Sequence, residues 1–242
     1  MGLYGKKEEL QIMIPDRKMV KVVGVLFFLQ MATAILSYSV ILDPILYSED
    51  FPTSMATNST AVVIAVILDL VCGLSVFAIA VLLYPILNKY NERIALWYTG
   101  LRLGELMGFV ITGVLLLTLL SMGMESQSLD SSGADQMISW STYLLSARVH
   151  TQNISLFLYC FGASMFYFLL LRTELVPRFI SLWGLVGLTG ILTEILLSMF
   201  GISTASFMHL IMLPMGLNEL FLGFWLIVSG LKPSPDISPS HK

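Results

Sequence analysis

Charged side chains are scarce in this sequence. Asp, Glu, Lys and Arg make up 12% of its 242 residues, about half the share found in soluble domains, whereas hydrophobic residues reach 56%. A chain with so little charge cannot cover a water-exposed surface, so lipid is its expected main solvent. The formal net charge of -3 is spread without a basic stripe, which leaves nucleic-acid binding without support.

Cysteine and recognisable motifs are also scarce. The two cysteines, Cys72 and Cys160, both lie in apolar stretches, where a thiol behaves as a small apolar group. We therefore expect no disulfide and no redox pair. No stretch has the spacing of a catalytic, nucleotide-binding or metal-binding motif. The sequence thus requires no cofactor, and it favours a protein that is not an enzyme.

The chain does contain six apolar stretches, each long enough to cross a bilayer as a helix of about 20 residues. They predict spans at about 20–42, 61–84, 94–120, 150–171, 180–200 and 207–230. The first apolar run continues to Leu42, which favours a retained helix over a cleaved signal peptide. The predicted fold is an all-α integral membrane bundle of six transmembrane helices over residues 20–230, between an N-terminal tail 1–19 and a disordered tail 231–242.

The lysines and arginines lie in alternate connections. Eleven of the thirteen fall in the two tails and in the second and fourth connections. Because cytoplasmic connections carry an excess of Lys and Arg, both termini are expected to be cytoplasmic. The bilayer is therefore the expected main partner of this multi-pass protein.

One connection, 121–149, is long. It begins with a run rich in Ser, Gly and Asp. Residues 135–148 are expected to form a short interfacial helix on the outer surface, with Ile138, Trp140 and Leu144 in lipid.

Polar residues within the spans are the main functional signal. Arg102 and Glu105 in the third span, and Asn218 and Glu219 in the sixth, lie near the middle or inner half of the bilayer, where charge is costly. Arg102 and Glu105 are three residues apart, the spacing of a helical ion pair. A structural salt bridge and a role in binding a substrate or an ion both remain open for this pair.

The charges within the spans do not balance. Four carboxylates, those of Asp69, Glu105, Glu194 and Glu219, face one arginine, Arg102. Some of them must be protonated, hydrated or bound to cations, because burial disfavours uncompensated charge. The predicted function is therefore the binding or movement of a proton, an ion or a small polar solute through a polar bundle interior.

A second hypothesis is an intramembrane metal-dependent hydrolase. His150, His209, Glu194 and Asp69 lie near the outer ends or outer halves of their spans and could surround a zinc ion with two imidazoles and two carboxylates. The third histidine, His241, is in the opposite tail. Haem held between His150 and His209 is a further alternative.

Glycines recur at helical spacing on several spans. Gly100, Gly104 and Gly108 form a small-residue ridge on the third, and Gly187 and Gly190 share a face with Glu194 on the fifth. Such faces suit close helix packing. They also leave open an oligomer or a non-catalytic membrane partner protein.

Four segments carry a family resemblance: Tyr84-Pro-Ile-Leu-Asn-Lys-Tyr-Asn-Glu-Arg93, Arg102-Leu-Gly-Glu105, Leu175-Val-Pro-Arg178 and Asn218-Glu-Leu-Phe-Leu-Gly-Phe-Trp-Leu-Ile227. Through them nearly the whole chain resembles the bacterial membrane family catalogued as domain of unknown function 4386. The resemblance implies a multi-pass protein of the bacterial cytoplasmic membrane and agrees with six spans. It implies no activity.

Overall fold

The structure is a computed structural model, and it describes residues 16–48, 50–202 and 208–232. Most of both predicted tails and the side chain of His209 lie outside the described residues. Within the described residues the chain forms helices and turns and no strand.

The helices are named here in chain order. They are α1 (Arg17–Ala34), a π-helical segment (Ile35–Leu42), α2 (Asp43–Leu46), α3 (Phe51–Thr57), α4 (Ser59–Leu87), α5 (Glu92–Ser126), α6 (Ser131–Thr173), α7 (Arg178–Met199) and α8 (Met208–Val228). Six stretches of the described chain are long and apolar enough to cross a membrane, namely α1 continued through α2, and α4 to α8. The predicted all-α, six-span architecture is therefore confirmed.

Helix α6 is much longer than the sequence analysis predicted. It has 43 residues, so at 1.5 Å per residue it is about 65 Å long and extends well beyond a hydrocarbon core of about 30 Å. The prediction of a separate interfacial helix at 135–148 is wrong, because α6 runs without a break through these residues. It begins at a cap formed by Asp130, whose carboxylate accepts a hydrogen bond from the Gly133 N–H. Ile138 and Trp140 are exposed, but Leu144 packs against a buried apolar cluster.

The six long helical stretches close into a ring in chain order. α1 packs against α4, each helix from α4 onward packs against the next, and α8 returns to pack against α1. Each helix thus has two flanking neighbours, and the inner faces converge on the centre of the ring. The short helices α2 and α3 lie at the end of the bundle away from the start of α1, which we call the distal end.

Glycines close the ring between α1 and α8. A Cβ atom added to Gly24 would lie 2.7 Å from the carbonyl oxygen of Gly223 and 2.6 Å from the Ile227 side chain. A Cβ atom added to Gly223 would lie 2.9 Å from the Cβ of Phe27. These distances are shorter than ordinary van der Waals contact, so the first and last spans approach this closely only because both positions lack a side chain.

The predicted glycine ridge of α5 packs through two of its three members. A Cβ atom at Gly108 would overlap the Ser155 side chain, and one at Gly104 would lie 3.0 Å from the Leu158 side chain. Both contacts are with α6. A Cβ atom at Gly100 would have no neighbour within 4 Å.

This difference predicts opposite effects for two matched substitutions. Gly24→Ala should lower the free energy of unfolding by about 1–3 kcal/mol, because it forces α1 away from α8. Gly100→Ala should raise it by about 0.5–1 kcal/mol, because alanine is the better helix former and meets no obstacle. Unfolding of the purified protein in detergent checks both. Equal stability of the two variants would contradict the close contact between α1 and α8 at Gly24.

Candidate functional site

The centre of the ring holds a buried ion pair within α5. The Arg102 Nη1 lies 2.8 Å from the Glu105 Oε2, and both residues are buried. The rings of Tyr98 and Tyr159 lie 5.4 Å and 4.9 Å from the guanidinium carbon and add cation–π attraction. The helical ion pair that the spacing permits is therefore present.

Glu219 of α8 lies beside this pair and links three helices. The Gln30 Nε2 of α1 donates a hydrogen bond to its Oε2 at 3.0 Å, and the Tyr159 hydroxyl of α6 donates one to its Oε1 at 2.8 Å. Because Tyr159 also faces Arg102, the five residues form one buried set. We call Gln30, Arg102, Glu105, Tyr159 and Glu219 the central network.

Asn218 serves the packing of α8 against α7. Its side chain is fully buried, and its Nδ2 donates a hydrogen bond to the Ile180 carbonyl at 2.9 Å. A carbonyl inside a helix already accepts one bond from its own helix, so this second bond uses a free lone pair. The residue fixes the position of α8 and thereby that of Glu219, its neighbour in the chain.

Towards the distal end the interior of the ring opens into a cavity of about 330 Å³. This volume falls at the lower end of the range for small-molecule sites. Five of the six spans line it, at Ala34, Ile35, Tyr38, Ser39, Asp69, Glu105, Gly108, Phe109, Thr112, Arg148, Gln152, Ser155, Leu156 and Met212. Glu105 belongs both to this lining and to the central network.

Two opposite charges belong to the cavity wall. Asp69 of α4 is 8% exposed and Arg148 of α6 is 2% exposed, and they interact electrostatically. They do not close a salt bridge, since the ion pairs between described side chains are Arg102–Glu105 and Glu174–Arg178. The Arg148 Nε has no hydrogen-bond partner, and the ring of Tyr38 lies 5.8 Å from its guanidinium carbon.

The π-helical segment forms one wall of this cavity. Its wider turn is shown by the Asp43 N–H, which donates to the carbonyl of Tyr38 five residues earlier. The Ser37 Oγ donates to the Ala65 carbonyl at 3.1 Å and holds the segment against α4. Tyr38 and Ser39 line the cavity next to this contact. Short π-helical insertions are frequent at functional sites, because they redirect side chains within a long helix.

The structure places the predicted solute-binding residues in different settings. Glu105 lines the cavity. Arg102 and Glu219 lie in the central network beside it, and Asn218 packs between α7 and α8.

The predicted metal-binding residues are also separated. Asp69 lines the cavity, Glu194 is buried on α7 and is not part of the lining, and His150 is exposed on α6. The side chain of His209 lies outside the described residues. Among the described side chains, no group of three or more His, Cys, Asp or Glu residues could hold a metal ion. The zinc and haem hypotheses stay predictions.

Arg148 is the site residue that the sequence analysis missed. It lies in the segment 121–149, which the sequence predicts to be an outer connection, and an arginine beside a span is ordinary there. Its helical face contains the signal that could have revealed it, since residues 141, 145, 148, 152, 155 and 159 recur at alternating intervals of four and three, the spacing of one helix face. Ser141 and Tyr159, at the two ends of this series, are both buried.

Comparison with known proteins identifies a family and no relative of known function. Residues 22–230 match the family model described as Domain of unknown function (DUF4386). No curated protein and no solved structure matches the chain. The resemblance inferred from the four sequence segments is therefore confirmed.

The buried ion pair predicts strong coupling between its two members. Arg102→Met should cost about 3–5 kcal/mol of unfolding free energy, because it leaves Glu105 buried without its partner. The double variant with Glu105→Gln should cost less than the sum of the two single variants. Unfolding in detergent measures this cycle, with the exposed pair Glu174–Arg178 as control, whose coupling should be about 1 kcal/mol or less. Additive effects at Arg102 and Glu105 would refute the coupling.

Proposed function

Since the chain belongs to the domain of unknown function 4386 family, whose description states no activity, we propose from the site itself that the protein binds a small polar solute in the cavity between Asp69 and Arg148. The observation that carries this proposal is a pair of buried, opposite charges that line one cavity without joining each other. A site built only for stability would be expected to close such a pair, because an open cavity and an unpartnered buried donor both cost free energy.

The position of the cavity supports solute movement as the purpose of binding. It lies inside the ring, at the depth of the π-helical segment and of the middle of α5 and α6. Secondary transporters bind their substrates near the bilayer midplane at irregular helix segments, where backbone geometry differs from a regular helix. The π-helical segment is such an irregularity, and it forms a wall of the cavity.

We place the protein in the bacterial cytoplasmic membrane with both termini in the cytoplasm. Arg17, Lys89, Arg93, Arg172 and Arg178 lie at the turns and helix ends near the start of α1. The distal turns carry acidic residues instead, at Asp43, Asp50, Glu125 and Asp130. This distribution supports a cytoplasmic location for the basic end. The cavity would then lie in the half of the bundle nearer the outer surface.

Thiol accessibility tests the proposal. In a background with Cys72→Ser and Cys160→Ala, we expect a charged, membrane-impermeant thiol reagent to modify Thr112→Cys and Ser155→Cys, because both positions line the cavity. Val114→Cys is the matched control, since Val114 lies on α5 but is exposed on the outside of the bundle, where lipid excludes the reagent. Labelling is measured in sealed vesicles by mass shift.

One outcome of this labelling experiment supports the proposal, and another contradicts it. Modification of residues 112 and 155 from the side opposite the termini would support both the solute site and the proposed orientation. Folded protein in which neither position reacts, from either side, would contradict a solute-accessible cavity.

A further inference from the structure

The charges that line the cavity specify a ligand. We infer that the cavity takes a zwitterion with an apolar body, an inference that rests on the proposed solute site. Its anionic group, a carboxylate or a phosphate, pairs with Arg148. Its ammonium group pairs with Asp69.

Arg148 carries the first part of this inference. The residue is 2% exposed, its Nε has no partner, and it forms no salt bridge with a described carboxylate. A guanidinium presents a planar fork of donors that matches a carboxylate or a phosphate. The Tyr38 ring, 5.8 Å from the guanidinium carbon, adds cation–π attraction but accepts no hydrogen bond from the Nε, which leaves that donor for a ligand.

Asp69 carries the second part. It is buried on α4, it lines the same cavity, and it interacts electrostatically with Arg148. One positive and one negative side chain line the cavity at this end. An anion that paired with Arg148 would be repelled by Asp69, and a cation that paired with Asp69 would be repelled by Arg148. A zwitterion compensates both, and the neutral complex avoids a buried net charge.

The remaining walls explain the apolar body. Ile35, Phe109, Leu156 and Met212 also line the cavity. A hydrated inorganic ion or a very small solute such as glycine would leave these side chains facing empty or watery space. A ligand that fills the volume of about 330 Å³ with apolar atoms gains the burial of that surface.

Glu105 does not compete for the ammonium group. Its carboxylate lines the cavity but is held 2.8 Å from Arg102, which already compensates its charge. The Ser155 Oγ donates to the Glu105 backbone carbonyl at 3.2 Å and keeps this part of α5 against α6. Asp69 is then the carboxylate of the lining that has no ion-pair partner among the described side chains.

Two sources could supply such a molecule. An apolar amino acid would reach the cavity from water, whereas a headgroup that joins a phosphate to an ammonium group would reach it from the bilayer. Both have the same pair of charges, and the test separates them with different probes.

Binding to the purified full-length protein in detergent tests the inference with four probes. L-phenylalanine has both charges and an apolar ring, 3-phenylpropanoate lacks the ammonium group, and 2-phenylethylamine lacks the carboxylate. Lysophosphatidylethanolamine represents the lipid source. We expect phenylalanine or the lysolipid to bind at least about 10-fold more tightly than either probe with a missing charge, as a hydrogen-bonded charge contributes about that much.

Variants assign each charge to its partner. Asp69→Asn should remove the preference for phenylalanine over 3-phenylpropanoate, and Arg148→Gln should remove its preference over 2-phenylethylamine. If the lysolipid is the bound zwitterion, both variants should weaken its binding instead. Arg148→Lys keeps the charge and tests the case in which Arg148→Gln fails to fold, and Gly100→Ala should bind like the wild type.

The outcomes separate this inference from the proposed function. The zwitterion would be overturned if neither phenylalanine nor the lysolipid bound more tightly than the probes with one missing charge. It would also be overturned if Asp69→Asn left the advantage of the bound zwitterion undiminished. Water access at residues 112 and 155 without binding of any probe would also overturn it and leave a solute site of other chemistry. Unreactive cysteines together with no binding would overturn both.

Discussion

The buried pair of Arg102 and Glu105 is the constraint on which the rest of the bundle depends. Neither side chain can face hydrocarbon cheaply, so both require an interior that the surrounding helices shield from lipid. The ring supplies it, with Tyr98 and Tyr159 around the guanidinium and Glu219 of the last span beside the pair. The close approach of Gly24 and Gly223 joins the last span to the first and completes that shield.

The ring encloses a cavity on the distal side of the central network. Five of the six spans line this cavity, and Tyr38 and Ser39 of the π-helical segment belong to its wall. Glu105 connects the two regions, since one of its sides meets Arg102 and another lines the cavity. A ligand that altered the position of Glu105 would therefore disturb the central network and, through Glu219, the contact between α8 and α1. If the cavity binds a solute as proposed, this connection gives that binding a physical route to helix movement.

Much of this arrangement was predictable from the sequence, and the failures have physical reasons. Hydropathy revealed six spans because each must be apolar to cross lipid, and the three-residue spacing of Arg102 and Glu105 indicated their pairing. Arg148 and the length of α6 were missed because a polar helix that leaves the membrane resembles a loop in composition. The π-helical segment has no distinctive composition, since its residues are mostly apolar like those of any membrane span. The contact between Gln30 and Glu219 joins residues 189 positions apart, and pairing of distant helices is invisible in one sequence.

The most direct measurement of the central claim is native mass spectrometry of the protein extracted from its own membranes, under conditions gentle enough to retain bound phospholipid. The cavity between Asp69 and Arg148 predicts a protein population that carries one small-molecule adduct. The adduct should be lost from the double variant Asp69→Asn with Arg148→Gln and retained by Gly100→Ala. Wild-type protein without any adduct, or an adduct that the double variant retains unchanged, would contradict a solute site built from these two charges.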